Sequence, residues 1–415
     1  MLRTDVAIVG GGFSGVMVAA HLAGHLDDGL AVSLFEPDAL GRGAAYGTRH
    51  PEHLLNTRAG AMSAFEGEPD HFVRWLGSRG AADRFVSRQL YGQYLGDIAR
   101  RAFERTRFTH VADRVRTIRP LASDGFVLVT DSGVEFASET VVLATGTSLP
   151  SDDFLPDTLK CHPRYVRDPW RFDYRVVEGE VLLIGSGLTA LDALVALDAR
   201  GHRGAVHVVS RHGRFPAVHA AQPSCYDVVP ALDATSALTL VRSFRRHVAD
   251  AARRKFDWRA VVEAVRPESE ATWRRLPESE RRRFERHIRS HWVRVRHRAP
   301  QEVDAVRSRY LDSGRLHVYS GEIAASGDAG AVVLGRNGTT HTIRPDWIVN
   351  CTGPGPSHDF GLRTQDHPGR LWLTGALLRA ARFESTAVVE LRVIAERVGG
   401  EIVRALGMRG IHAAL

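Results

Sequence analysis

Two glycine-rich turns, each between an apolar run and a helical pattern, constrain the fold of this 415-residue chain more than any other feature. The first is Gly10-x-Gly12-x-x-Gly15, and the apolar run after its helix ends at Glu36. In such a turn the first glycine permits a tight bend, the second lets backbone approach a pyrophosphate, and the third lets helix and strand pack closely. The helix N-terminus donates N–H groups to the phosphates, and Glu36 can accept from ribose hydroxyls. The pattern predicts a Rossmann-like dinucleotide-binding unit and disfavours a loop that merely turns.

The second turn reads Gly185-Ser-Gly187-Leu188-Thr189-Ala and follows another buried-looking apolar run. Its next strand-like run ends in Ser210-Arg211, where a site for NAD would carry an acid. An acid would repel a ribose 2′-phosphate, whereas a guanidinium can bind it with two parallel hydrogen bonds. We therefore predict a preference for NADPH over NADH. The alternative is that Arg211 is a solvated residue at a strand end.

Two dinucleotide sites on one chain predict electron transfer between two bound cofactors. Nicotinamide donates a pair of electrons, and a flavin is its most useful acceptor. We expect FAD at the first turn and NADPH at the second.

The composition is that of an ordinary globular protein, with 44% hydrophobic and 25% charged residues. These values exclude wholesale disorder, collagen and coiled coil. No run approaches the roughly 18 apolar residues of a membrane span, and the chain opens directly into a strand-like segment. We expect a cytoplasmic protein without a membrane partner.

The cysteine and histidine patterns do not predict a metal site. Cys161, Cys225 and Cys351 are far apart and form no C-x-x-C pair, which also excludes a local redox dithiol. His287 and His291 are four residues apart on a predicted helix, but the Glu of the H-E-x-x-H motif is missing.

The positive charge of the chain is concentrated in one helical segment. The whole chain has a formal charge of +7, and residues 242–309 contain 20 Lys and Arg against 10 Asp and Glu. The first interpretation is a solvated helical scaffold, since the acids are interleaved. Close behind is a lid that presents Arg294 or Arg298 to an anionic substrate such as an amino acid carboxylate. A nucleic-acid surface comes last, because no recognised binding fold is present.

Several segments carry a resemblance to a known group of proteins. They are Gly41-Arg42-Gly43-Ala-Ala-Tyr46, Asn56-Thr-Arg-Ala-Gly-Ala-Met62-Ser-Ala-Phe65, Arg88–Leu95, Arg286–Pro300 and Phe383–Arg392. Together with the two turns they resemble two-dinucleotide-binding flavoproteins, in particular class B flavin monooxygenases and the bacterial FAD/NAD(P)-binding proteins related to N-hydroxylating monooxygenases. The last two segments are similar to the bacterial subgroup.

The resemblance implies a glutathione-reductase-like α/β fold. Two Rossmann-like domains are expected, with the NADP domain nested in the FAD domain and an α-helical insert. The corresponding division is residues 1–165 and 348–415 for the two parts of the FAD-binding domain, 166–235 for the first part of the NAD(P)-binding domain, 236–312 for the basic insert, and 313–347 for return strands.

The turns and the resemblance together give a set of predicted cofactor-binding residues. In the FAD-binding domain these are Gly10, Gly12, Phe13, Ser14, Gly15, Glu36, Arg42, Tyr46, Asn56, Met62, Thr145, Gly146, Gly375, Glu384 and Ser385. In the NAD(P)-binding domain they are Gly185, Gly187, Leu188, Thr189, Ser210 and Arg211.

The chain departs from the family pattern at two places. The linker from Pro156 to Tyr165 matches the monooxygenase fingerprint only loosely, which weakens the case for oxygenation. Gly375-Ala376 stands where many FAD enzymes have Gly-Asp, so one cofactor contact is missing or supplied by another residue.

The resemblance implies an NADPH-dependent flavin monooxygenase that oxygenates a nucleophilic nitrogen or sulfur through a flavin C4a-hydroperoxide. That chemistry needs a dry pocket with a hydrogen-bond donor near the flavin. Asn56 is the candidate donor, and the alternative is that it caps a turn. Tyr46 is expected to cover the flavin face or to pack in the core. Arg294 and Arg298 are the candidates for substrate contact.

Two other functions are compatible with the same cofactors. One is a reductase that passes electrons to a quinone, a small acceptor or a partner protein without oxygenation. The other is a flavin-binding sensor or scaffold with no NADPH turnover. The sequence does not predict the substrate or the oligomeric state.

Overall fold

The computed structural model describes residues 1–25, 30–77, 82–104, 107–122, 124–222, 224–327, 330–380, 382–384 and 386–413. These residues form two compact units. Unit 1 comprises residues 1–148 and 355–415, and unit 2 comprises residues 149–354. Unit 2 is therefore inserted into the chain of unit 1, which confirms the predicted nested arrangement.

The strands fall into two sheets. They are β1 (Leu2–Val9), β2 (Val32–Phe35), β3 (Phe108–Val111), β4 (Val115–Pro120), β5 (Phe126–Thr130), β6 (Glu135–Leu143), β7 (Tyr165–Val166), β8 (Val181–Ile184), β9 (Val206–Ser210), β10 (Leu316–Gly327), β11 (Gly330–Gly335), β12 (Thr340–Ile343), β13 (Trp347–Asn350) and β14 (Leu371–Leu373).

The helices are concentrated around the two glycine turns and in the basic segment. They are α1 (Phe13–His25), α2 (Gly43–Tyr46), α3 (His71–Trp75), α4 (Arg88–Phe103), α5 (Asp157–Lys160), α6 (Leu188–Ala199), α7 (Ala237–Arg253), α8 (Trp258–Val265), α9 (Ser269–Arg275), α10 (Glu278–His287), α11 (Arg289–Arg296), α12 (Gln301–Asp312) and α13 (Val388–Ala413).

The sheet of unit 1 has the strand order β3-β2-β1-β6-β5-β4, and β14 also pairs with β6. Strands β3, β2, β1, β6 and β14 are parallel, so their carboxyl ends meet at one edge. Strand β2 and the second half of β1, from Val6 to Val9, are mostly apolar and fully buried, as a parallel sheet covered on both faces requires. The sheet thus brings the residues that follow Val9, Phe35, Leu143 and Leu373 close together.

Helices α1, α4 and α13 build the main core of unit 1. Helix α1 is apolar on nearly all sides and buries Val16, Met17 and Leu22 completely. Helix α4 adds the fully buried rings of Tyr91 and Tyr94. A helix that is apolar all round must lie inside the protein, so α1 is fixed firmly behind the first glycine turn.

The sheet of unit 2 has the order β12-β11-β10-β9-β8-β13-β7. Strands β10, β9, β8, β13 and β7 are parallel, whereas β10, β11 and β12 form an antiparallel meander. Strand β13 lies between β8 and β7, so Ile348–Asn350 belongs to unit 2. The predicted FAD-binding domain, 1–165 and 348–415, is therefore wrong at both boundaries, because residues 149–165 and 348–354 belong to unit 2.

Helices α7 to α12 form the predicted helical insert. Helix α7 starts at a capping box, in which Ser236 and Thr239 satisfy each other's backbone N–H groups. Ion pairs three or four residues apart, such as Arg282 with Glu278, line the exposed faces. The confirmed helical structure and these pairs agree with a solvated scaffold.

The sequence pattern of residues 384–406 predicts a closing helix, and the structure begins that helix, α13, at Val388. The first helical hydrogen bonds run from the N–H groups of Glu390 and Leu391 to the Ala387 carbonyl. Glu384 therefore precedes the helix.

No helix in the described part of the chain combines the length and the apolar character that crossing a bilayer requires.

Candidate functional site

The first glycine turn has no room for side chains at two of its glycines. Gly10 has a φ of +106°, and a Cβ there would stand 2.3 Å from the Ala144 carbonyl oxygen. A Cβ at Gly15 would stand 1.8 Å from the Gly10 carbonyl oxygen. Since real Cβ atoms never approach oxygen this closely, both positions require glycine. Gly10 thus makes the tight bend, and Gly15 lets α1 pack against the turn, as predicted from the sequence.

Gly12 is different, because space is open in front of it. The nearest atom to a Cβ at Gly12 is the Gly43 Cα, 3.6 Å away, which is an ordinary contact. Helix α1 begins at the next residue, Phe13, so its first N–H groups point toward this space. Phe13 and Ser14 are themselves buried in the first turn of α1. Backbone that is exposed beside a helix N-terminus is what a pyrophosphate needs.

Residues from the end of β14 join the same helix N-terminus. Gly375 has a φ of +66°, and a Cβ there would stand 2.8 Å from the Ser14 hydroxyl oxygen. The preceding Thr374 is fully buried, and its hydroxyl has no hydrogen-bond partner among the described residues. A buried hydroxyl without a partner costs free energy, so its position beside Gly375 fits a polar ligand at this edge. The residues present therefore fit a dinucleotide.

Glu36 is held at the glycine turn by backbone donors. Its Oε2 accepts from the Gly11 N–H at 2.9 Å, and its Oε1 accepts from the Asp38 N–H at 3.2 Å. The Gly41 N–H donates to the Gly11 carbonyl at 2.8 Å, which ties the next loop to the same turn. Arg42 follows in this loop with an exposed side chain. The predicted residues Glu36 and Arg42 thus flank the turn that carries Gly12.

The segment that follows Asn56 is clamped by α4 and α13. The Met62 carbonyl accepts from the Tyr91 hydroxyl at 2.9 Å, and the Ala64 N–H donates to the Tyr94 hydroxyl at 3.2 Å. Arg392 adds a hydrogen bond to the Ser63 carbonyl at 3.3 Å. Met62 is buried, and Asn56 is half-buried six residues before it. The structure therefore fixes this segment in place.

Tyr46 lies in the core of unit 1. Its ring packs edge-on against the Tyr91 ring with centroids 4.7 Å apart, and only 8% of the residue is exposed. Burial raises the pKa of Tyr46 to about 12, although Arg88 acts in the opposite direction. The ring thus has the core contact that was one of its two predicted roles.

Four predicted residues remain in unit 1. The Thr145 hydroxyl donates to the His358 carbonyl at 2.9 Å. Gly146 has a φ of +64°, and nothing lies within 4 Å of a Cβ there. Glu384 is half-buried ahead of α13, and Ser385 lies outside the described residues. Thr145 and Gly146 thus follow β6 at the edge of the sheet where the parallel strands end, and space is open in front of Gly146.

The second glycine turn repeats this geometry in unit 2. Gly185 has a φ of +110°, and a Cβ there would stand 2.5 Å from the Cys351 carbonyl oxygen. Gly187 is the N-cap of α6, and nothing lies within 4 Å of a Cβ there. Leu188 and Thr189 form the first turn of α6. The first glycine again makes the bend and the second again leaves backbone exposed, so unit 2 also fits a dinucleotide.

Hydroxyl groups connect this turn to the loop after β9. The Ser186 hydroxyl lies 2.8 Å from the Ser210 hydroxyl and donates to the Arg214 carbonyl at 2.9 Å. The Gly213 N–H donates to the Ser210 oxygen at 3.0 Å. The guanidinium of Arg211 is exposed in this loop. The loop that carries Arg211 is therefore held beside the second glycine turn.

Three basic residues near Arg211 were not predicted from the sequence. They are His212, Arg214 and Arg336. Burial lowers the pKa of His212, and Arg336, His291, Arg211 and Arg214 lower it further. Arg214 could have been found, since it lies three residues beyond Arg211. Arg336 could not, because it follows β11 and reaches the loop only through the pairing of the strands.

The two candidate substrate residues of the insert have different surroundings. Arg294 is exposed, and its Nε donates to the Phe215 carbonyl at 3.0 Å, next to the loop after β9. The Arg298 side chain is 4% exposed and forms an ion pair with Glu263, whose side chain is 46% exposed. Arg298 also contacts the Val295 carbonyl and the His219 ring. Arg298 thus joins α8 to the end of α11.

Within the described ranges, no group of three or more His, Cys, Asp or Glu is arranged to hold a metal ion.

Comparison with known families identifies the first part of the chain. Residues 7–148 match a family model described as FAD-NAD(P)-binding, which is less than half of the chain. The match confirms the predicted resemblance and the predicted cofactor class, FAD and NAD(P). No curated protein matches the chain.

Several solved structures share the fold over nearly the whole chain. Ornithine hydroxylase from Pseudomonas aeruginosa is 14% identical, with 98% of this chain and 100% of that chain covered and a TM-score of 0.66. L-lysine 6-monooxygenase from Pseudomonas syringae is 18% identical, with 97% and 99% covered and a TM-score of 0.63. Bacillithiol disulfide reductase from Bacillus cereus is 13% identical, with 98% and 99% covered and a TM-score of 0.55. At these identities the likeness confirms the predicted fold alone.

Proposed function

We propose that the chain is an FAD-dependent, NADPH-consuming monooxygenase that oxygenates a nucleophilic nitrogen or sulfur of a small substrate. One observation carries the proposal. Both Gly12 and Gly187 expose backbone at the start of a helix, in two separate units, while Gly10 and Gly185 make the preceding bend. Two dinucleotide sites on one chain would allow electrons to pass between their ligands.

Residues of unit 1 would hold FAD. When bound, the flavin and nicotinamide supply electron-pair transfer and the activation of dioxygen. The N–H groups at the start of α1 would bind the pyrophosphate, and Glu36 would accept from the ribose. The clamped segment from Asn56 to Ala64 would place the Asn56 amide beside the flavin ring and exclude water through the buried Met62.

Residues of unit 2 would hold NADPH. The start of α6 would bind the pyrophosphate, and Arg211 would bind the 2′-phosphate as a charged, planar donor. Ser210 would act by holding the loop, because its oxygen already accepts from the Gly213 N–H.

The oxygenase step is supported by the fold likeness and by the Asn56 segment. Two of the similar structures are an ornithine hydroxylase and a lysine monooxygenase. An amino-acid-like substrate would agree with Arg294, whose exposed guanidinium could bind a carboxylate. For Arg298 we propose a structural role, since its guanidinium is paired with Glu263.

The test is to measure whether an oxygen atom of dioxygen is incorporated into the substrate. The purified protein with FAD and NADPH is incubated under ¹⁸O₂ with amino acids that have a side-chain nitrogen or sulfur, beginning with L-ornithine and L-lysine. Incorporation of one ¹⁸O atom into the amino acid supports the proposal. A reductase would instead oxidise NADPH rapidly with a quinone acceptor and leave every amino acid unlabelled. That second function has the support of the fold likeness to a disulfide reductase.

A further inference from the structure

Helix α7 of the insert exposes three arginines that have no acidic partner. On α9 and α10, by contrast, exposed arginines pair with acids three or four residues away, namely Arg274 with Glu270, Arg282 with Glu278 and Arg283 with Glu280. Arg242, Arg245 and Arg246 of α7 form no ion pair and no hydrogen bond through their side chains within the described part of the chain. The interleaved acids of the insert therefore do not neutralise α7.

The three arginines repel one another along the surface of α7. Arg242 lies three residues before Arg245 and four residues before Arg246, and these spacings bring side chains together on a helix. Like charges at such spacings destabilise the helix that carries them. An anion outside the chain would remove this repulsion.

The acids closest in sequence to these arginines are already engaged. Asp250, which is the acid of α7 itself, pairs with Arg253. The pKa of Asp233 is lowered mainly by hydrogen bonds from Thr235, and Arg246 is the last of the causes. Neither carboxylate thus compensates the charge of the three arginines.

Exposed aliphatic side chains flank the arginines. Leu238 is 53% exposed and lies four residues before Arg242, on the same face of α7. Val228 and Val229 precede α7 and are 40% and 58% exposed. Aliphatic side chains of this size are exposed together when a surface serves for binding.

The segment that carries the two valines runs along α7. Asp227 pairs with Arg254, just beyond the C-terminal end of the helix. Further along the segment, the Ala231 carbonyl accepts from the His247 Nε2–H at 3.3 Å. The two valines lie between these contacts and therefore beside the second half of α7.

We propose that the surface formed by Leu238, Arg242, Arg245, Arg246 and residues 228–229 docks the protein onto a membrane that contains anionic lipids. Guanidinium groups bind lipid phosphates through paired, charge-assisted hydrogen bonds. The aliphatic side chains enter the boundary between headgroups and acyl chains. A membrane fits better than a nucleic acid, because the exposed apolar side chains of this surface are aliphatic and cannot stack on bases.

Docking of this kind needs no spanning helix. It would replace the expectation, drawn from the sequence, of a protein without a membrane partner. It does not involve the residues of either glycine turn, so it can be tested separately from the proposed function.

Sedimentation with lipid vesicles tests the proposal. The full-length protein is mixed with vesicles of phosphatidylglycerol and phosphatidylcholine in equal parts, or with vesicles of phosphatidylcholine alone. We expect binding to the anionic vesicles and none to the neutral ones. High salt should release the protein, because it screens the exposed charges.

A variant that combines Arg242→Gln, Arg245→Gln and Arg246→Gln measures the contribution of the arginines. It should weaken binding to anionic vesicles by about a hundredfold, because each arginine near such a surface contributes about fivefold. Its thermal midpoint should stay the same or rise, since the repulsion within α7 is removed. The FAD content per chain should be that of the wild type.

The matched control combines Arg274→Gln, Arg282→Gln and Arg283→Gln. It removes the same charge from exposed arginines that are paired with acids of the same insert. Binding should stay within about threefold of the wild type. Equal losses in the two combined variants would show attraction by net charge alone and would overturn the proposal.

Leu238→Ser measures the contribution of the aliphatic side chains. It should weaken vesicle binding by about threefold to tenfold. The control is Leu334→Ser, since Leu334 is 50% exposed on β11. Unchanged binding in Leu238→Ser, or no binding of the wild type to anionic vesicles, would contradict membrane docking. Tighter binding to a DNA duplex than to the vesicles would make this a nucleic-acid surface instead.

Discussion

The Gly10 carbonyl oxygen lies 1.8 Å from the point where a Cβ of residue 15 would stand. This relationship makes any side chain at position 15 destabilising, whereas Gly12 in the same turn has open space before it. Within this six-residue turn, packing inside the protein therefore restricts Gly15, and the space in front of Gly12 is left open for a ligand. The three glycines should therefore respond differently to substitution.

Gly12→Ala and Gly15→Ala separate the two effects. Gly15→Ala should destabilise unit 1 by about 3 kcal/mol, because the Cβ overlaps backbone that cannot move away. Gly12→Ala should change stability by less than about 1 kcal/mol and still abolish FAD binding, since its methyl group occupies the approach of the pyrophosphate. Thermal unfolding and flavin content per chain give the two readouts.

Gly24→Ala is the matched control, because a Cβ at this position in α1 would meet nothing within 4 Å. It should retain FAD and gain about 0.5–1 kcal/mol of stability from the better helix former. Retention of FAD by Gly12→Ala would contradict the pyrophosphate site.

Arg211→Ala tests the choice of nicotinamide cofactor. The KM for NADPH should rise at least about tenfold through loss of the charged contact, and the KM for NADH should stay within about twofold. Steady-state kinetics with both cofactors measure the change, with Arg203→Ala as control, because Arg203 is an exposed residue before β9. Equal increases for NADPH and NADH would show that Arg211 does not contact a 2′-phosphate.

The Glu263–Arg298 pair predicts a pH-dependent stability. Burial alone would raise the pKa of Glu263, but Arg296 and Arg298 hold it below its ordinary value of 4.5. Because the folded-state pKa is depressed, the stabilisation is complete above the unfolded pKa and is lost as pH falls through the lower folded-state pKa. Solvent screens the pair because the Glu263 side chain is 46% exposed, but Glu263→Gln leaves the buried Arg298 without its charged partner. The variant should therefore destabilise the protein at neutral pH by about 1–2 kcal/mol and reduce the loss of stability in acid.

Urea unfolding between pH 3 and pH 7 measures this effect. Glu278→Gln is the control, because Glu278 pairs with Arg282 on the surface and should contribute less than about 1 kcal/mol. If Glu263→Gln and Glu278→Gln give the same profile, the pair does not stabilise the insert.

The three thiols should differ in reactivity. Cys161 and Cys225 are exposed, whereas Cys351 is buried beside the second glycine turn. Burial raises the pKa of the Cys351 thiol far above its usual range, and nearby Asp192 raises it further. Since the thiolate is the reactive form, a thiol reagent should modify two cysteines in the native protein and the third only after unfolding. Mass spectrometry of the labelled peptides would contradict this if Cys351 reacted first.

The glycine turns could be predicted from the sequence because their function is local. Gly10, Gly12 and Gly15 lie within one turn, and the apolar runs on either side define the strand and the helix. Glu36 follows from the same local rule, since parallel strands place their carboxyl ends at one edge. The helical insert could also be predicted from the sequence, because of its pattern of charged residues.

The surroundings of Tyr46 and Arg336 depend on long-range pairing and could not be predicted. The contact of Tyr46 with Tyr91 requires α4 to pack under α2. The dipeptide Asn337-Gly338 is a hairpin signal that indicates the β11–β12 turn. Nothing local indicates that this turn reaches His212, because that contact depends on the parallel pairing of β9 with β10.

The most direct test of the account is to measure flavin content and its reduction by NADPH. The account predicts that the purified chain binds one FAD, that NADPH bleaches the flavin without air, and that Gly187→Ala keeps the FAD but is no longer bleached. Gly187→Ala should fold normally, since nothing lies within 4 Å of the added Cβ. A colourless protein that takes up no FAD when it is offered would contradict the account.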